Sequence, residues 1–86
     1  MVSTLENLSI GQKAIILSIK TDNKALKRRI MDMGLFKGAL VEVINVAPLG
    51  DPVGLKVRGF VVSIRREHLK LITGEILPKQ EQELIK

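Results

Sequence analysis

Only one internal segment of this chain carries a helical period, and it lies between stretches that read as strands. From Leu26 to Gly38 the sequence runs Leu-Lys-Arg-Arg-Ile-Met-Asp-Met-Gly-Leu-Phe-Lys-Gly, with Leu26, Ile30 and Met33 at i, i+4 and i+7. That spacing puts the three on one face of a helix. Asp22 or Asn23 can cap the first free N–H groups, and Gly34 can adopt the left-handed conformation that ends a helix. Lys24, Lys27, Arg28 and Met31 then point away from the apolar stripe, with Arg29 flanking it beside Met33. Just beyond, Gly34 and Gly38 bracket Leu35 and Phe36, so the chain turns sharply and at least one of the two enters the core.

The flanking sequence is strand-like. Leu5, Leu8 and Ile10 alternate with polar residues in a lead-in that Gly11 interrupts, and Ala14 to Lys20 reads as a strand buried on both faces. Leu40 to Ala47 is a second strand. It ends at Pro48-Leu49-Gly50-Asp51-Pro52, where two prolines and a glycine cannot continue a ladder and an exposed loop is expected. Taking Arg58-Gly59 as a two-residue turn sets Val57 opposite Phe60, Leu55 opposite Val62 and Val53 opposite Ile64. Every pair is apolar, and the other face carries Lys56, Arg65, Val61 and Ser63, the alternation of a sheet packed on one side. Arg66 to Lys70 allows one helical turn, Leu71 to Thr73 a short closing strand that Gly74 ends. Residues 75 to 86 alternate charge around Pro78 and are expected to form a loosely packed tail.

These 86 residues suffice for one domain, and the absence of cysteine leaves a 45% apolar composition to hold it by packing alone. Five short strands and one helix between the first two of them predict a mainly β fold. A small, partly open barrel of the SH3-like kind over residues 1 to 74 fits best, with an open α+β sandwich as the alternative. The longest apolar run, Ala14 to Leu17, is far below the ~20 residues of a membrane-spanning helix. Residues 1 to 10 lack the basic segment of a secretion signal, so a cytoplasmic location is expected.

Several motifs then fall into an order with a known counterpart. Arg29-Ile30-x-x-Met33-Gly34-Leu35-x-x-Gly38, an apolar strand, Pro48-Leu49-Gly50-Asp51-Pro52, Val57-Arg58-Gly59-Phe60 and Ser63-Ile64-Arg65 together resemble the FeoA family over residues 4 to 73. Met33 stands where leucine is more typical and Lys37 where proline is common; the glycines are unchanged. The resemblance implies an SH3-like barrel that serves ferrous iron uptake by working with FeoB, a membrane permease with a cytosolic GTP-binding domain.

The residues themselves argue against catalysis. There is one histidine and no Gly-x-x-x-x-Gly-Lys-[Ser/Thr] loop, so the chain is not expected to hydrolyse nucleotide. Arg28, Arg29 or Arg58 could be offered to a partner GTPase, although a solvated basic face is the simpler reading. His68 with Glu67 is the candidate ligand pair for Fe(II) or another divalent transition metal, but one histidine is a sparse ligand set. Met31 and Met33 point to different helix faces and cannot share an ion. What remains is a protein-binding surface, for which Lys27, Arg28, Met31, Leu35, Phe36, Pro48, Asp51 and Pro52 are the candidates. The net charge of +5 and pI of 9.9 suit an acidic partner. Nucleic-acid binding through Lys56, Arg58, Arg65 and Arg66 is the alternative, disfavoured by an aromatic content of only 2%. Unpaired barrel edges leave self-association open.

Overall fold

The structure, a computed structural model, describes residues 1–78. Its order is β1 (Val2–Thr4), β2 (Lys13–Ile19), α1 (Lys24–Asp32), β3 (Leu40–Val46), β4 (Val53–Val57), β5 (Phe60–Ile64), α2 (Arg66–Leu69) and β6 (Ile72–Ile76). The strands form one antiparallel sheet in the order β1-β6-β2-β3-β4-β5, with no pairing between its two ends. This is the mainly β, incompletely closed architecture expected, with α1 between its first two long strands.

Helix α1 forms as its caps and stripe dictate. Asn23 Oδ1 accepts from the Leu26 N–H at 3.0 Å, and Gly34 has φ 94° just past the last turn. Ile30 is buried, while Leu26 and Met33 pack half-buried against the same core. The connection to β3 is bonded to the middle of β2. Gly38 N–H donates to the Ile16 carbonyl at 2.7 Å, and Ile16 N–H donates to the Ala39 carbonyl at 2.9 Å. That anchorage lowers Leu35 into the core and leaves Phe36 half-buried.

The β4–β5 hairpin has the register read from sequence, residue for residue. Arg58 and Gly59 both have positive φ, 52° and 82°, which matches the right-handed strand twist. Val53, Leu55, Val57 and Ile64 are buried and Val62 is half-buried, but Phe60 is 74% exposed because the core ends before the hairpin tip.

Three expectations need correction. Strand β2 is not buried on both faces: Ala14, Ile16 and Ile19 are buried but Leu17 is 37% exposed. Its apolar residues occupy both parities because the register against β6 slips between Ile16 and Ser18, a bulge at Leu17 that moves Ile19 into phase with the core. Strand β3 repeats the device between Val43 and Asn45. Second, β1 was not expected. It has three residues, and its partner, Val2 against Glu75 through Thr4 against Thr73, lies at the far end of the sequence. Third, Gly74 does not end a strand. It sits in the middle of β6, paired to Ser3 on one side and Ile16 on the other, so Glu75 and Ile76 belong to the sheet. The rest of the expected tail, residues 79–86, lies outside the described residues. Ile10, read as part of the apolar alternation, is exposed.

Gly74 is required by space. A Cβ there would lie 3.0 Å from both the Ile15 carbonyl oxygen and Leu5 Cδ2, and a backbone carbonyl cannot step aside as a flexible side chain can. Gly74→Val is expected to lower the unfolding free energy by about 1–3 kcal/mol in a urea titration. A change within about 0.5 kcal/mol, the range of ordinary surface substitutions, would show that β6 is not held in this way.

Candidate partner-binding surface

The outer face of α1 presents Lys24, Lys27, Arg28 and Met31 to solvent, because Ile30 turns the opposite face to the sheet. Beside it β2 exposes Leu17 at its bulge, and the loop after the helix brings in Phe36 and Lys37. Together these residues make a shallow groove of about 260 Å³ between β2 and α1, lined by Leu17, Ser18, Ile19, Lys27, Met31, Phe36 and Lys37. Its floor is aliphatic and aromatic, its rim carries two lysines, and no carboxylate lines it. Phe36 is held from the far side: the Arg58 guanidinium, at the tip of the β4–β5 hairpin, lies 4.5 Å from its ring centroid.

The charge is concentrated in the segment that carries α1. Between residues 20 and 37, six lysines and arginines stand against two aspartates, so this segment carries +4 of the chain's +5. The remainder of the chain is nearly neutral.

The structure divides the candidate contacts expected from sequence. Lys27, Arg28 and Met31 are exposed, and Lys27 and Met31 line a groove with half-buried Phe36. Leu35 must be withdrawn, because its side chain is fully buried and cannot reach a partner without unfolding the α1–β3 connection. Pro48, Asp51 and Pro52 are exposed on the β3–β4 loop, whose contacts run to α2 rather than to α1. Asp51 Oδ1 accepts from the Arg66 backbone N–H at 3.0 Å and so caps α2 from outside, since the α2 cap residue Arg65 makes no side-chain bond of its own. Leu17 and Lys37 were not read as contacts. The signal for Lys37 was its place beside Phe36; Leu17 takes the outer parity once Ala14 and Ile16 face the core, a phase that the uninterrupted apolar run Ala14 to Leu17 hides.

The alternative set of cations does not form one free face. Arg66 turns inward, its Nε donating to the Gly50 carbonyl and its Nη1 to the Glu6 carbonyl, so it ties the lead-in segment and the β3–β4 loop to α2. Arg58 stacks on Phe36, Arg65 lies 3.8 Å from Glu67, and Lys56 is exposed on the outer side of β4.

His68 lines a second groove with Leu26, Arg29, Met33 and Arg65, where the charged neighbours are cations. Glu67 is the carboxylate that Arg65 approaches. Among the described residues no three His, Cys, Asp or Glu side chains come together as a metal site. Nor does any helix among them have the length and apolarity to cross a membrane.

The sequence profile of the FeoA domain matches residues 3–76. The chain belongs to the FeoA family. This family is associated with ferrous iron transport, and the six-stranded open sheet is its SH3-like domain. A FeoA protein from Chlorobium tepidum, solved by NMR, superposes with a TM-score of 0.80 at 37% identity, covering 88% of this chain and 71% of that one. A FeoA from Stenotrophomonas maltophilia, crystallised with zinc and described as an SH3 domain protein and candidate activating factor of ferrous iron transport, gives 0.73 at 25% identity over 85% and 89% of the two chains. A Porphyromonas gingivalis protein named as a fusion of Fe(2+) transport protein A with the Fe(2+) transporter FeoB is 33% identical over 73 residues. That match takes in 85% of this chain and 8% of the fusion protein.

The bonding of Arg66 yields a test of this layout. Arg66→Ala is expected to cost about 1–2 kcal/mol of unfolding free energy, because three segments lose their shared donor, whereas Arg65→Ala should change it by less than about 0.5 kcal/mol. Equal effects in denaturant titrations would contradict the inward placement of Arg66.

Proposed function

We infer that this FeoA-family protein is a non-catalytic accessory of ferrous iron uptake that acts by binding an FeoB-type permease, at its cytosolic GTP-binding domain. The observation that carries this reading is the fusion relative, in which a segment like this chain and an FeoB transporter share one polypeptide. Covalent linkage keeps two modules at high effective concentration, which suits modules that meet through a binding surface. The α1 side supplies one, with Lys27, Met31 and Phe36 lining an open groove and Arg28 exposed on the same helix. The exposed Pro48 to Pro52 loop bonds to α2 and lies outside this surface. Iron is the permease's cargo in this reading, and no role is assigned to His68 or Glu67. Binding such a domain requires a cytoplasmic location.

The reading is tested by chemical-shift titration of the labelled protein with the GTP-binding domain of the FeoB from the same organism, in both nucleotide states. The largest shifts should fall between Lys27 and Lys37 and at Leu17. Absence of shifts at the highest attainable concentration would count against this domain as the partner.

A further inference from the structure

The groove between β2 and α1 specifies more than a contact area. Resting on the partnership above, we propose that it is the seat for a short acidic segment of the permease's cytosolic region, with one aliphatic or aromatic side chain inserted between Leu17 and Met31 and carboxylates meeting Lys27 and Lys37.

Three observations carry this. The first is size: at about 260 Å³ the groove lies below the ~300–1,000 Å³ of small-molecule pockets and suits a single large side chain. The second is lining. Leu17, Ile19 and Met31 offer nothing to hydrogen-bond a base edge or a phosphate, Ser18 is the one neutral polar residue beside them, and the Phe36 ring already carries the Arg58 guanidinium over one face. A lipid surface is flat and fluid, and it favours apolar side chains that protrude; here Ile19 is buried and Phe36 half-buried, and only Leu17 and Met31 of the lining apolar residues are exposed. The third is charge. Four of the groove's lining residues, Lys27, Met31, Phe36 and Lys37, belong to the segment that holds +4 of the chain's +5, and its charged lining residues are both cations. Such a field speeds encounter with an acidic partner and rejects basic ones. Met31 adds a side chain that can repack around anchors of different shape.

The bulge in β2 sets the groove's strand side. A regular strand would keep Ile16 and Leu17 in strict alternation to its end and put Ile19 on the outer face. The bulge instead keeps Ile19 with the core and leaves Leu17 as an isolated apolar side chain facing the helix side of the sheet.

The experiment uses overlapping peptides tiled across the cytosolic region of the same organism's FeoB, together with that whole region, and reads binding to the full-length protein by fluorescence polarisation. Peptides that bind should combine two or more carboxylates with a neighbouring Leu, Ile, Met or Phe, and their affinity should fall at least about fivefold between 50 and 300 mM salt, as screening shortens the reach of the lysines. Met31→Asp should abolish binding. The double variant Lys27→Glu/Lys37→Glu should weaken it about tenfold or more and recover it toward a peptide whose carboxylates are replaced by lysine. Met31, Lys27 and Lys37 are surface residues, and unchanged circular dichroism of the variants confirms that the fold is kept. If the whole FeoB region binds the wild type and these variants equally, the groove proposal is overturned and the partnership stands. If that region does not bind the wild type at all, the partnership itself fails. Binding of anionic vesicles or RNA that needs Lys27 and Lys37 but ignores Met31→Asp, with no acidic peptide bound, would also overturn the proposal.

Discussion

Helix α1 has nine residues, too few to be stable alone in water, and it persists because Ile30 is driven into the sheet and Leu35 follows it just past the end. Everything on the basic side of the molecule depends on those two insertions. Ile30 fixes the rotation of the helix and therefore which residues face out. Leu35, buried between the positive-φ glycines Gly34 and Gly38, fixes where the chain leaves the helix, and so where Phe36 and Lys37 come to rest. The Arg58 stack on Phe36 adds a contact from the opposite end of the sheet, linking the hairpin tip to the helix exit. A surface assembled from three elements is thus held by the same core that holds the fold.

The two bulges give the open sheet its character. Each inserts one residue, Leu17 in β2 and Ile44 in β3, bending the strand and changing which parity faces inward. The sheet curls enough to enclose a core yet does not close. Its two free edges differ. Strand β1 has only three residues, whereas β5, Phe60-Val61-Val62-Ser63-Ile64, is longer, uncharged and exposed at Phe60 and Val61. Only shortness protects the first edge, and the second lacks the charges and prolines that usually discourage edge pairing.

What could be read from the residues followed the range of the interactions involved. The hairpin register was fully legible, because a two-residue turn leaves a single way to pair apolar with apolar. The helix was legible from its period, its Asn23 cap and its Gly34 stop. Strand β1 was not, since three residues show no period and its partner lies some seventy positions away. Gly74 was misread because a glycine beside a short apolar run looks like a stop; only the packing of Leu5 and Ile15 around it reveals a strand interior that excludes a Cβ. The same limit divided the site. Lys27, Arg28 and Met31 followed from helical phase, but the sequence could not choose between Leu35 and Phe36 for the core, nor see that Arg66 and Asp51 spend their polar atoms inside the molecule.

The central claim is that the α1 side, rather than the β5 edge or the β3–β4 loop, meets the iron permease. It is tested most directly by placing a photo-activated cross-linking amino acid at position 31, 49 or 61 in cells that make this protein and its FeoB together, followed by mass spectrometry of the products. All three positions are exposed, so each can carry the probe without disturbing the core. The account predicts a cross-link to FeoB from position 31 and none, or far less, from position 61. Cross-links from position 49 or 61 with none from 31 would contradict it.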